Sequence, residues 1–245
     1  MLGLFSALLV QDKSSEILVT PWVTNTQVLM SGDTRFDRVL STAAVVKKFE
    51  WIQKINSNKI IIAGSTWEKD HIILAQAVNT LGTFNWIIVP HQVDPISIIE
   101  CKSHFPKAIT LTELIASKQH YTLPTVIIVD QIGLLRSLYQ YAFISYVGGG
   151  FGKDGVHNVL EPAAFGKPVL WGSNDIKYRE AIGLRNEGGG YTIQNAEELI
   201  ERIQFFESSQ EAYNLSAKKA AQFVTNNAGA TKKTIEFLQE QHFLK

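Results

Sequence analysis

From residue 59 onward the chain repeats one pattern: a short run of β-branched residues, apolar at nearly every position, then a longer stretch with apolar residues at helical spacing. Runs without a polar alternation need cover on both faces, as strands of a parallel sheet have between two layers of helices. The strand runs are KIIIAG (59–64), NWIIVP (85–90), TVIIVD (125–130), FISYVGGG (143–150) and KPVLWG (167–172). KAIT (107–110) adds a short strand and GGGYTI (188–193) an edge strand. Helices are predicted between them over 67–81, 94–104, 132–141, 157–166 and 174–186. Connections this long favour βα repeats over hairpins, because parallel neighbours need a crossover. The fold class is therefore α/β, a Rossmann-like, mostly parallel sheet with helices on both faces. The C-terminus is helical: Asn195 caps NAEELIERIQFF, which puts Leu199, Ile200 and Ile203 on one face, and two more helices are predicted at about 209–225 and 229–241.

The first 58 residues read differently. FSALLVQ (5–11) is a strand, SSEILV (14–19) a short helix, TQVLMSGD (26–33) a second strand and FDRVLSTAAVVKKFEWIQKI (36–55) a helical connector. The most hydrophobic stretch here, residues 2–10, is far short of the ~20 residues that span a bilayer. It has no basic segment before it and no small-residue cleavage site, so it reads as a buried strand in a reducing, cytosolic setting.

Composition narrows the chemistry. Among 245 residues, 23 Lys and Arg balance 23 Asp and Glu, so no global field draws the chain to nucleic acid or anionic lipid, and an anionic ligand must be held locally. An apolar content of 45% excludes disorder as the main state. One cysteine, Cys101, excludes an internal disulfide and argues against cysteine-bound zinc.

Ligands of open parallel sheets bind beyond the carboxyl ends of the strands, and three of those ends carry suitable residues. Ala63-Gly64-Ser65-Thr66 precedes a helix, where backbone N–H groups and the hydroxyls of Ser65 and Thr66 suit a phosphate or carboxylate; the same residues also read as ordinary helix caps. His91 follows Val89-Pro90 and reads either as a loop histidine or as a donor facing the crevice. The third end is the richest. Gly148-Gly149-Gly150 leads through Gly152, Lys153, Asp154 and Gly155 to His157-Asn158 and a helix carrying Glu161 and Pro162. Glycines allow close backbone approach to a ligand, and a first-turn carboxylate either complements the helix end or accepts from the two hydroxyls of a ribose.

With this third segment the chain resembles the donor-nucleotide half of a GT-B glycosyltransferase, and more narrowly the 3-deoxy-D-manno-octulosonic acid (Kdo) transferases of bacterial lipopolysaccharide synthesis. The matching pieces, in the family's order, are Gly32-Asp33-Thr34-Arg35-Phe36-Asp37-Arg38, Ala63-Gly64-Ser65-Thr66-Trp67-Glu68, Val129-Asp130, Tyr146-Val147-Gly148-Gly149-Gly150 and the stretch from His157-Asn158 through Glu161-Pro162 to Val169. The resemblance implies a domain that binds CMP-Kdo for an inverting, metal-independent transfer to a lipid A precursor. It implies donor contacts from Ser65, Thr66, His91, Gly149, Gly150, Lys153, His157, Asn158 and Glu161, with Glu161 on the ribose; Arg35 either reaches an anionic donor or braces a domain interface. No cofactor, metal or nucleic-acid partner is expected.

Two departures stand out. Family members commonly show Arg-His where this chain has His91-Gln92, which removes a basic contact or moves it elsewhere, Lys153 being one candidate. Many carry Gly-Glu where Gly133 is followed by Leu134.

The expected organisation is 1–25 as the remnant of an N-terminal domain, 26–58 as connector with a first strand and helix, 59–225 as the nucleotide-sugar domain and 226–245 as a C-terminal helix. This reading puts the acceptor site and the catalytic base in a domain beyond the chain. It expects the chain alone to be soluble, to bind donor without transfer and to have an interdomain face open to self-association, with the whole enzyme on the cytoplasmic side of the inner membrane. The alternatives are a UDP-sugar transferase or 2-epimerase of the same architecture, and a non-catalytic nucleotide-binding module.

Overall fold

The computed structural model describes residues 2–45, 47–55, 59–117 and 126–244. Val46, residues 56–58, Thr125 and the two terminal residues, all within stretches that the sequence reading assigns, lie outside the described residues. Along the chain run β1 (Ala7–Val10), α1 (Lys13–Val19), β2 (Gln27–Met30), α2 (Thr34–Ala43), β3 (Ile60–Thr66), α3 (Glu68–Thr80), β4 (Asn85–Pro90) and α4 (Pro95–His104). There follow β5 (Ile109–Thr110), α5 (Leu111–Ala116), β6 (Val126–Ile128), α6 (Leu135–Leu138), β7 (Ile144–Val147), α7 (Leu160–Ala164), β8 (Val169–Gly172) and α8 (Arg179–Glu187). The last elements are β9 (Gly190–Ile193), α9 (Ala196–Ser208), α10 (Gln210–Asn227) and α11 (Ala230–Glu240).

Two compact units form. One takes the residues up to Thr42 and those from Val224 onward, the other Ala43–Phe223. The larger unit is built on a fully parallel seven-stranded sheet of order β5-β6-β4-β3-β7-β8-β9. Successive residues of the β-branched runs feed opposite faces. Ile61, Trp86, Ile88, Ile128, Ile144 and Tyr146 pack with Leu74, Cys101, Leu199 and Phe206 of α3, α4 and α9. Ile60, Ile62, Ile87, Val89 and Ile127 pack on the other face with Leu111, Leu138, Tyr139 and Trp51. The mostly parallel α/β sheet and the helical C-terminus read from the sequence are both present, and Asn195 caps α9 by accepting from Glu198 N–H.

In the smaller unit β1 pairs in parallel with β2, and α1, capped by Asp12, connects them. α11 joins this unit: Asp37 of α2 accepts from Gly229 N–H at 2.8 Å and from Thr231 N–H at 3.3 Å. The buried strand expected near the start is only half-buried, because its described sheet has two strands. Among the described residues no helix is long and apolar enough to cross a membrane.

Other expectations need correction. The connector is not one helix over 36–55: α2 ends at Ala43, before the poor helix formers Val45 and Val46. Tertiary contacts then set the path, with Phe49 N–H donating to Tyr141 Oη and Trp51 and Ile55 buried in the sheet's core. The helix expected from 157 begins only at Leu160, whose N–H donates to Asn158 Oδ1 at 3.0 Å. The one expected from 174 begins at Arg179 after a turn in which Tyr178 N–H donates to Asp175 O.

Candidate functional site

Strand order reverses between β3 and β7, with β4 and β6 on one side and β8 and β9 on the other. Such a switch point opens a crevice beyond the strand ends. There the exit of β3, Ser65-Thr66-Trp67, meets the glycine exit of β7. Gly148 N–H donates to Gly64 O at 2.9 Å, and a Cβ on Gly148 would lie 2.3 Å from Ser65 O. Gly150 lies as closely against the end of β8, where a Cβ would stand 2.5 Å from Gly172 O. Backbone packing against backbone leaves no room for a side chain at either position. Ser65 sits in the left-handed region at φ 53°, where the pairing of β3 with β4 slips, a conformation costing a non-glycine residue on the order of 1–3 kcal/mol.

Two cavities flank these exits. The first, about 410 Å³, is lined by Ser65, Gly133, Leu135, Arg136 and Glu161. Arg136 Nε donates to Glu161 Oε1 at 2.9 Å, the glutamate side chain 14% exposed and the arginine 50%. Tyr139 and Leu135 wedge the floor against β3, since a Cβ on Gly64 would lie 2.2 Å from Tyr139 Oη and 2.5 Å from Leu135 Cδ1. Burial, reinforced by the charge of Glu161, pushes the Tyr139 phenol well above its ordinary value.

The second cavity, about 280 Å³, lies among Trp67, Lys69, Asp70, Gly149, Asp154 and His157. Trp67 Nε1–H donates to His157 Nε2 at 2.8 Å, and the His91 ring stacks on both, 4.5 Å from each centroid. An Nε2 that accepts must carry no proton, so His157 is the neutral Nδ1–H tautomer. Burial, and then the neighbouring His91, lower its pKa. Asp70 is the buried acid of this cavity, and it holds the glycine turn by accepting from Gly149 N–H at 3.0 Å.

The sequence-derived residues therefore divide. Ser65 and Glu161 share the first cavity; Gly149 and His157 line the second, with His91 stacked on its Trp67 and His157; Gly150 packs on β8. Thr66 turns inward, buried, with Oγ1 2.9 Å from His71 Nε2. Asn158 caps Leu160, and Lys153 is exposed on the glycine loop. Arg35 belongs to the smaller unit, where its guanidinium pairs with Asp33 at 2.7 Å. Asp70 and Arg136 were missed. Asp70 carries a signal, a carboxylate at the third helical position that reaches back to Trp67 N–H as in a capping box. Arg136 has no local signal, because only tertiary packing brings it to Glu161.

The sheet has the fold of the C-terminal half of GT-B glycosyltransferases. Among solved structures the chain is similar to the C-terminal CMP-Kdo binding domain of WaaA from Acinetobacter baumannii (TM-score 0.59, 20% identity, 77% of this chain and 98% of that one). No family profile matches it. Among curated proteins it is 29% identical over 188 residues to a bifunctional glycosyltransferase/methyltransferase of Fusobacterium nucleatum, covering 73% of this chain. It is 32% identical over 155 residues to the 3-deoxy-D-manno-octulosonic acid transferase of Aquifex aeolicus, covering 59% of this chain. The chain spans 29% of the first relative and 41% of the second. The chain is thus similar to Kdo transferases in sequence and to a CMP-Kdo binding domain in fold.

Proposed function

We propose that this chain binds the nucleotide sugar CMP-Kdo in the crevice between β3 and β7, as the donor-binding part of an inverting transferase that passes Kdo to a lipid A precursor. The observation that carries this reading is the convergence of Ser65 and Glu161 on one cavity at the switch point. A carboxylate held there has the chemistry to accept from both ribose hydroxyls, at roughly 1.5–3 kcal/mol per charge-assisted bond. The close-packed exits of Gly148 and Gly150 leave no side chain between the sheet and a ligand.

In this reading the chain's residues bind and orient the donor. An acceptor hydroxyl attacks the anomeric carbon, a carboxylate takes its proton and CMP departs; we assign none of this chain's residues the role of that base. The reading calls for no metal ion and places the working enzyme at the cytoplasmic face of the inner membrane. Calorimetric titration with CMP, UMP and GMP tests it. CMP is expected to bind best and Glu161→Ala to weaken it tenfold or more; tighter binding of UMP would move the assignment to a different sugar nucleotide.

A further inference from the structure

The donor nucleotide brings negative charge into a cavity that already holds the carboxylate of Glu161. Two anions share so small a space only if a cation stands with them. Arg136 and Lys69 are the cations among the residues lining the two cavities, and only Arg136 shares a cavity with Ser65 and Glu161. Lys153, one candidate to replace the basic residue missing at His91-Gln92, lies exposed on the glycine loop.

Arg136 is also placed with some precision. It belongs to α6, whose Leu138 is fully buried and whose Leu135 packs against the β3 exit at Gly64. Its Nε is committed to Glu161, while its two terminal amino groups have no hydrogen-bond partner among the described residues. A guanidinium fixed through Nε, with both terminal nitrogens available and half its side chain exposed, suits two parallel N–H bonds to a phosphate.

We propose that Arg136 is the phosphate-binding residue of this site, holding the donor's phosphate through its terminal amino groups while Glu161 takes the ribose. This rests on the nucleotide-donor reading and adds a residue to it. It also gives the Arg136–Glu161 ion pair a role, keeping the guanidinium turned to the cavity.

The test is calorimetric titration of the wild-type chain, Arg136→Ala and Arg136→Lys with CMP and with cytidine, each variant's melting temperature serving as a folding check. Wild type is expected to prefer CMP to cytidine. Arg136→Ala should lose tenfold or more in CMP affinity with cytidine held within about twofold, and Arg136→Lys should recover part of the loss. Equal losses for CMP and cytidine would reduce Arg136 to a positioning residue acting through Glu161, and an unchanged CMP affinity would remove it from the site; both overturn the proposal. Equal binding of CMP and cytidine by wild type would overturn the phosphate contact and leave the nucleoside site standing. Binding of neither would overturn the donor reading itself, and this proposal with it.

Discussion

Asp70 Oδ2 lies 3.0 Å from the backbone nitrogen of Gly149, so one buried carboxylate of α3 fixes the turn by which the chain leaves β7. The same oxygen accepts from Trp67 N–H at 2.9 Å, and Oδ1 accepts from Tyr146 Oη–H at 2.6 Å. Burial pushes the acid's pKa up, and these three donors oppose the shift. The glycine turn thus has a polar brace where space excludes side chains.

Replacing Asp70 by Leu keeps the branched shape but leaves two buried backbone N–H groups without the oxygen that accepts them. Each stranded buried donor costs about 1–3 kcal/mol. Urea unfolding should show Asp70→Leu destabilised by at least that range, with Tyr146→Phe milder, at the lower end of about 1–3 kcal/mol, because it strands one acceptor oxygen. Unchanged midpoints for both would remove the brace from the account.

His71 makes stability depend on pH. It is buried at 4% exposure, and burial, with the nearby His104, lowers its pKa from 6.5 to about 4. The unfolded chain therefore binds a proton that the folded one refuses between those values. The stability it contributes is complete above about pH 6.5 and is lost as pH falls toward 4, at a cost of roughly 3 kcal/mol. Denaturant midpoints at pH 7 and 4.5 measure this, and His71→Gln should flatten the difference.

The Trp67–His157 bond is expected to break on acidification, because a protonated Nε2 has no lone pair for the indole N–H. The indole proton resonance of Trp67 should move with a midpoint below the ordinary imidazole range, burial and His91 outweighing the opposing pull of Asp154. His157→Gln offers an acceptor that does not titrate and should abolish the pH dependence. A shift of the same midpoint in that variant would place the titrating group elsewhere.

Gly148→Ala forces a methyl group to 2.3 Å from Ser65 O and 2.6 Å from Thr66 Cα. Backbone cannot swing aside as a side chain can, so a loss of about 1–3 kcal/mol or more is expected. Gly82→Ala is the control, since nothing lies within 4 Å of its would-be Cβ. Its melting temperature should stay near wild type, and a similar fall in both variants would mean that crowding at Gly148 is not the cause.

The sequence was legible where a signal is local. Unbroken runs such as Lys59–Ile62 and Thr125–Val129 require cover on both faces, and the strand order then puts their carboxyl ends in one crevice. Ser65, Gly149 and Glu161 could be picked out because Ser65 ends the β3 run, Gly149 follows β7 and Glu161 lies in the first turn of the helix after the glycine loop. The cation beside Glu161 could not, because Arg136 reaches it across 25 positions of sequence through the packing of Leu138 and Tyr139. Thr66 shows the converse: a hydroxyl placed like Ser65's in sequence turns into the core, since the bulge at Gly64/Thr66 sends neighbouring side chains in different directions.

The most direct test of the donor-site reading is amide-detected NMR of the chain titrated with CMP. Shifts should concentrate at Ser65, Gly133, Arg136, Gly149 and Glu161, saturate with CMP before UMP or GMP, and largely vanish in Glu161→Ala. Shifts confined to other surfaces, or none with any nucleotide, would contradict a donor site at the junction of β3 and β7.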